Sequence, residues 1–155
     1  MNLIKSPIRL NASAKAVIAQ FLSLPGHGRN ENIINRVKKL SDSEVDFLFE
    51  KIINDFKNRH QNIEEIFITH FEKVNVLYKE DLLGFSEKRK LLLGAFFTKE
   101  YSIQAAALFN PSIVVHPDQQ NLPDGARRFV MSLRATGEGH ISSIIFKTGV
   151  ITASG

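Results

Sequence analysis

The spacing of apolar residues changes once along this chain, and that change limits what the chain can fold into. From about Asn30 to Phe109 they recur every three or four positions, the period of a helix that buries one stripe. After Asn110 they alternate, the period of a strand that buries one face. Helices first and strands last predict an α+β fold by segregation, because an α/β sheet would interleave the two.

The helical half is punctuated by start signals. "NENIINRVKKL" sets Ile33, Ile34, Val37 and Leu40 on one face. Ser41 with Glu44 three residues on is a capping box at the head of "SDSEVDFLFEKIINDFKNRH", and Val45, Leu48, Phe49, Ile52, Ile53 and Phe56 follow as one stripe. A third helix opens with Asn62 as cap and Glu65 at the box position, and carries Ile63, Ile66, Phe67, His70, Phe71 and Val74 on one face. A fourth is expected from Ser86 through "EKRKLLLGAFFTKEYSIQAAALF", bent or interrupted near Gly94 and stopped before Asn110-Pro111, since a residue before proline is pushed out of helical dihedrals. Ahead of all of them, "AKAVIAQFLSLPGHG" predicts an early strand near Val17 to Leu22 that ends in a turn at Pro25-Gly26.

The β half holds three runs, "SIVVH", "RRFVMSLRA" and "HISSIIFKTGVI", separated by the turn formers of "PDQQNLPDGA" and "TGEG". Joined in order, they predict a meander. In the middle run Phe129, Met131, Leu133 and Ala135 alternate onto one face, leaving Val130, Ser132 and Arg134 on the other. A guanidinium on that second face must reach water or bind something that carries oxygens.

Composition narrows the chemistry. With no cysteine among 155 residues, disulfides, zinc-thiolate sites and thiol catalysis are excluded, and a cytoplasmic location is favoured. No run is long and apolar enough to cross a bilayer, and the N-terminal stretch lacks a signal-peptide h-region. The net charge of +4 is interspersed, so "RVKKL" and "SEKRK" read as solvated helix faces and no nucleic-acid partner is expected. His70 interrupts an aromatic stripe without a second histidine at metal-site spacing, which marks a packed structural residue and no metal site. Asp118, Asp124 and Glu138 each sit beside a glycine or proline turn, where an acid is ordinarily a turn residue, so none is assigned as catalytic. No phosphate-binding glycine loop is present.

The run "FTKEYSIQAAALFNPSIVVHPDQ", followed by "RRFVMSLRATGEGHISSIIFKTGVI", strongly resembles the N-terminal part of a long-form branch of glycoside hydrolase family 130, the β-mannoside phosphorylases and hydrolases. The arm and helices before it are similar to the same branch, and "LRATGEGHISSI" is the most specific stretch. The resemblance implies a five-bladed β-propeller with a sugar-binding funnel, of which residues 110–155 would be the first, incomplete blade, preceded by a helical subdomain over 30–109 and an arm over 1–29. It implies a β-mannoside oligosaccharide as partner, no resident cofactor, and inorganic phosphate as co-substrate if the complete enzyme is a phosphorylase. The "FNP" motif puts Asn110, and the "LRA" motif puts Arg134, at substrate-binding positions on the funnel wall. The family's catalytic aspartate has no matching position in these residues, so the chain by itself is expected to be inactive. Uncovered, the sheet over 112–151 would leave Val130, Ile144 and Phe146 exposed, so the chain is expected to self-associate through it or to fold the helices back over it. The alternative is a free-standing helical assembly module without catalytic activity.

Overall fold

The computed structural model describes residues 8–26, 28–78, 82 and 84–152. Residues 1–7 and His27 of the expected N-terminal arm, and the closing residues 153–155, therefore lie outside the described part. The described chain is α+β, with four α-helices and two small sheets. It divides into two compact units, one spanning residues 18–101 and one built from 102–152 together with 8–17.

The first unit is mostly helical. Strand β1 (Val17–Phe21) is followed by α1 (Arg29–Lys39), α2 (Asp42–Phe56), α3 (Ile63–Tyr78) and α4 (Glu87–Phe96). The capping box forms as the spacing predicts: Ser41 Oγ accepts from the Glu44 amide, and the Glu44 carboxylate accepts from the Ser41 amide at 2.8 Å. Ser86 caps α4 in the same manner through the Arg89 amide. Asn62 opens α3 from a left-handed conformation, φ 54°, with its carbonyl accepting from the Glu65 and Ile66 amides. The stripes meet in two clusters. Ile34, Val37, Phe71, Val74, Leu93 and Phe97 form one, and Phe49, Ile63, Phe67, Leu91 and Ala95 the other. Phe67 is fully buried, a contribution of about 2–3 kcal/mol from its removal from water.

The expected fourth helix is corrected by the structure. It ends at Phe96, and β2 (Thr98–Ser102) follows, paired with β1. Bonds from the Leu22 amide to the Phe97 carbonyl and from the Ile103 amide to the Ala16 carbonyl close the two ends of this antiparallel pair. The interruption comes near Gly94, as expected, with the helix ending two residues beyond it; Gly94 is itself a point of close approach between α4 and α3, since a Cβ there would overlap the Phe67 carbonyl. The stop comes from the next residues: Thr98 Oγ1 donates back to the Gly94 carbonyl at 2.8 Å, satisfying a C-terminal acceptor, and the "FTKEY" run favours extended backbone.

The second unit is the meander. Strands β3 (Ala107–Val115), β4 (Arg127–Thr136) and β5 (Ser142–Ile151) pair antiparallel in that order. The first strand starts five residues before the "SIVVH" run, so Asn110-Pro111 lies inside a strand, where the sequence reading had placed a helix-to-strand junction. The β4–β5 turn is centred on Glu138–His140, with the Gly137 amide donating to the Ile141 carbonyl. Gly139 and His140 there have φ 63° and 61°.

Candidate functional site

Register decides which side chains share a face. Arg134 stands opposite Phe109 on β3 and Ile144 on β5; two residues along, Ser132 stands opposite Ser112 and Phe146. Leu133 and Ala135 are buried on the reverse face, as the alternation predicts. On the Arg134 face Val130 is half-buried, whereas Ile144 and Phe146 are each 68% exposed.

One irregularity shapes this face. Between Phe109 and Ser112 two residues of β3, Asn110 and Pro111, oppose the single residue Leu133, which is a β-bulge. Proline cannot donate to a ladder and is tolerated in strands at such points. Asn110 takes up the distortion at φ 51°, a left-handed conformation that asparagine adopts more readily than other residues bearing a Cβ. The bulge re-aims its side chain. Asn110, Ser132, Arg134, Ser142 and Ile144 then line one concavity of 340 Å³, with Leu133 and Ser143 contributing to its floor.

The guanidinium in that concavity is held on two sides. Arg134 Nε and Nη2 donate to Ser142 Oγ at 3.2 and 3.0 Å, and its Cζ lies 5.3 Å from the centroid of the Phe109 ring. Among the described residues no carboxylate forms an ion pair with it. Ser132 Oγ reaches the Ser112 carbonyl at 3.5 Å. An exposed cation over an aromatic ring, an amide that both donates and accepts, and two hydroxyls form a set that can bind a ligand rich in oxygens. The guanidinium offers hydrogen-bond donors and the amide both a donor and an acceptor, a set suited to holding a ligand.

The acids flagged beside the turns are elsewhere. Asp118 Oδ2 accepts from Arg128 Nη1 at 2.8 Å and its Oδ1 from the Gln120 amide at 2.9 Å. The Gln120 amide first, then the Arg128 and His116 charges, hold its carboxyl below the usual carboxylate range, the opposite of what a proton donor needs. Gln119 pins the same loop, its amide group accepting from the Arg128 amide and donating to the Arg128 and His116 carbonyls. Asp124 is exposed in the same connection and Glu138 in the β4–β5 turn, and neither lines the concavity. Among the described residues no group of three His, Asp or Glu side chains is placed to hold a metal ion.

His70 is packed and hydrogen-bonded. Because the Thr98 hydroxyl proton goes to the Gly94 carbonyl, the 2.7 Å contact between His70 Nδ1 and Thr98 Oγ1 requires the ring to donate from Nδ1. Burial first, and Lys73 second, press its pKa below the ordinary histidine value. The "SEKRK" cations are matched by carboxylates: Lys88 with Asp46, Arg89 with Asp42 and Lys90 with Glu87. Among the described residues no helix is long and apolar enough to cross a membrane.

Sequence reasoning singled out Asn110 and Arg134, put Ser132 on the Arg134 face and Ile144 among the exposed residues of the sheet, and missed Ser142 and Phe109. Ser142 could have been found by pairing the third run against the second about its turn. Phe109 could not, because it had been placed in a helix. No family model, curated protein or solved structure matches this chain.

Proposed function

We propose that this chain contributes part of the sugar-binding wall of a cytoplasmic carbohydrate-active enzyme of the β-mannoside phosphorylase and hydrolase type, with Asn110 and Arg134 as its sugar-contacting residues. On this reading the three-stranded meander is the beginning of a propeller blade, and the chain by itself supplies binding groups but no proton donor. The observation that carries the proposal is the shared concavity: a bulge in β3 brings Asn110 beside an arginine that has no acidic partner among the described residues. Pyranose hydroxyls are the kind of oxygen such groups satisfy, and the Phe109 ring beneath the guanidinium keeps its fork in place.

The test is titration of the chain with a β-mannoside, followed by calorimetry or amide chemical shifts. Arg134→Ala, at an exposed position, should weaken binding by about 1.5–3 kcal/mol, the range for a hydrogen bond to a charged group, while far-UV circular dichroism stays unchanged. At the neighbouring position Asn110→Gly is the better variant, because glycine keeps the positive φ that alanine would strain. Unchanged affinity in both variants would refute the sugar-contacting roles. A second reading, an assembly module without catalysis, is favoured by Phe47 on α2 and Val76 on α3, which are 70% and 75% exposed. It predicts no sugar binding and a partner lost on Phe47→Ser with Val76→Ser.

A further inference from the structure

The guanidinium of Arg134 has two edges that can bind oxygens, and only one of them is taken. Ser142 opens β5 opposite Thr136, a pairing set by the turn over residues 137–141, and so stands on the Arg134 face one diagonal step away. From there its Oγ accepts from both Nε and Nη2, which fills the side-on edge with a single neutral oxygen. Phe109, opposite Arg134 on β3, lies under the same group, so the guanidinium is held from a face and from an edge. What remains is the end-on edge, formed by parallel N–H groups of Nη1 and Nη2. Among the described residues nothing accepts from Nη1. Every other side chain lining the concavity is neutral, so the positive charge there is uncompensated. A parallel pair of donors matches two oxygens on one planar carbon. A carboxylate offers that pair with a full negative charge, and its bonds to a guanidinium are about twice as strong as bonds between neutral groups.

We propose that the Arg134 end of the concavity is a carboxylate fork, with Ser142 as the positioning residue that turns the guanidinium end-on, so that the preferred ligand is an acidic sugar, a uronate. This rests on the reading of the concavity as a sugar site and adds to it an anionic group on the sugar. Asn110, whose amide both donates and accepts, is left for hydroxyls of the same ring.

The experiment titrates the 155-residue chain, by calorimetry, with methyl β-mannoside, with the corresponding uronate that carries a carboxylate at C6, and with acetate as the carboxylate alone. The uronate should bind about tenfold more tightly than the neutral glycoside, the step from neutral to charge-assisted bonds, and that margin should shrink as salt is raised. Ser142→Ala, at an exposed position, should reduce the margin to about twofold with circular dichroism unchanged, and Ser142→Thr should keep it because the hydroxyl is kept. Arg134→Lys keeps the charge without the fork and should lose most of the margin. A uronate no tighter than the neutral glycoside, or a margin that Ser142→Ala leaves unmoved, overturns the proposal. The arms separate it from the reading beneath it. Neutral glycoside bound with no gain from the carboxylate keeps the sugar site and removes the fork, whereas acetate bound as tightly as the uronate keeps the fork and removes the sugar. Failure of all three to bind removes both.

Discussion

Replacing Gly94 with alanine tests how α3 and α4 are held together. At an ordinary interior helical position the change stabilises by up to about 1 kcal/mol, because glycine carries the larger backbone entropy. Here the added methyl would meet the Phe67 carbonyl and the Phe71 amide, backbone atoms of α3 that cannot turn aside as a side chain could. Overpacking of a tight core costs about 1–3 kcal/mol, and a collision with backbone belongs at the upper end of that range. The difference is a net loss of about 2 kcal/mol. Helix separation would also draw Thr98, which stays with α4 through its bond to the Gly94 carbonyl, away from His70 on α3. Urea unfolding followed at 222 nm should show a lowered midpoint with an unchanged slope, and the melting temperature should fall by about 6 °C for a chain of this size. A variant as stable as the parent, or more so, would refute the close approach.

Three further outcomes follow from contacts described above. His70 has a folded pKa below the unfolded reference of 6.5, so the unfolded chain takes up its proton first as pH falls. The stability owed to neutral His70 is complete above that reference and drains below it, and the slope of urea midpoint against pH between 7.5 and 5.5 should be shallower in His70→Gln; equal slopes would refute it. Arg89, whose side chain is 11% exposed, donates to the Val37 carbonyl at the end of α1 and to Asp42 at 2.8 Å, so Arg89→Ala should cost about 2 kcal/mol in the same assay, with Arg89→Lys recovering only part. The chain should self-associate through the 112–151 sheet, whose reverse face exposes Ile113 and Val115, and light scattering should show Ile113→Lys with Val115→Lys to be monomeric at concentrations where the parent is not.

What could be read from the residues depended on how local the cause was. The capping box of α2, the buried stripe of α3 and the face parity of β4 arise from side chains within a few positions of one another, and the structure shows them where the spacing puts them. The run 97–109 was misread because helix formers (Lys99, Glu100, Gln104, Ala105–Ala107, Leu108) are mixed with strand formers there, and its conformation depends on distant partners: Thr98–Ser102 pairs with Val17–Phe21, some eighty residues earlier, and 107–109 with 134–136. Gly94 looked like a weakness because a sequence does not show the backbone that passes beside it. Asn110 and Arg134 were singled out separately, one by a motif and one by an unsettled charge. Their common concavity depends on register across β3 and β4, and a bulge shifts that register in a way alternation does not reveal.

That bulge also separates the inheritance of the sheet from the inheritance of the site. Phe109 and Ser112 face the same side although an odd number of steps divides them, because the extra residue absorbs the mismatch. Losing one codon at Asn110-Pro111 would leave an even count, with both halves of β3 still paired to Arg134 and Ser132 as they are now. The ladder would be more regular and the left-handed turn at Asn110 would be gone. A single in-frame loss of Asn110 would therefore take the amide out of the concavity while keeping the register of both halves of β3, at the cost of leaving Pro111, which cannot donate, in a regular ladder; the amide and the tolerance for that proline are retained or lost together.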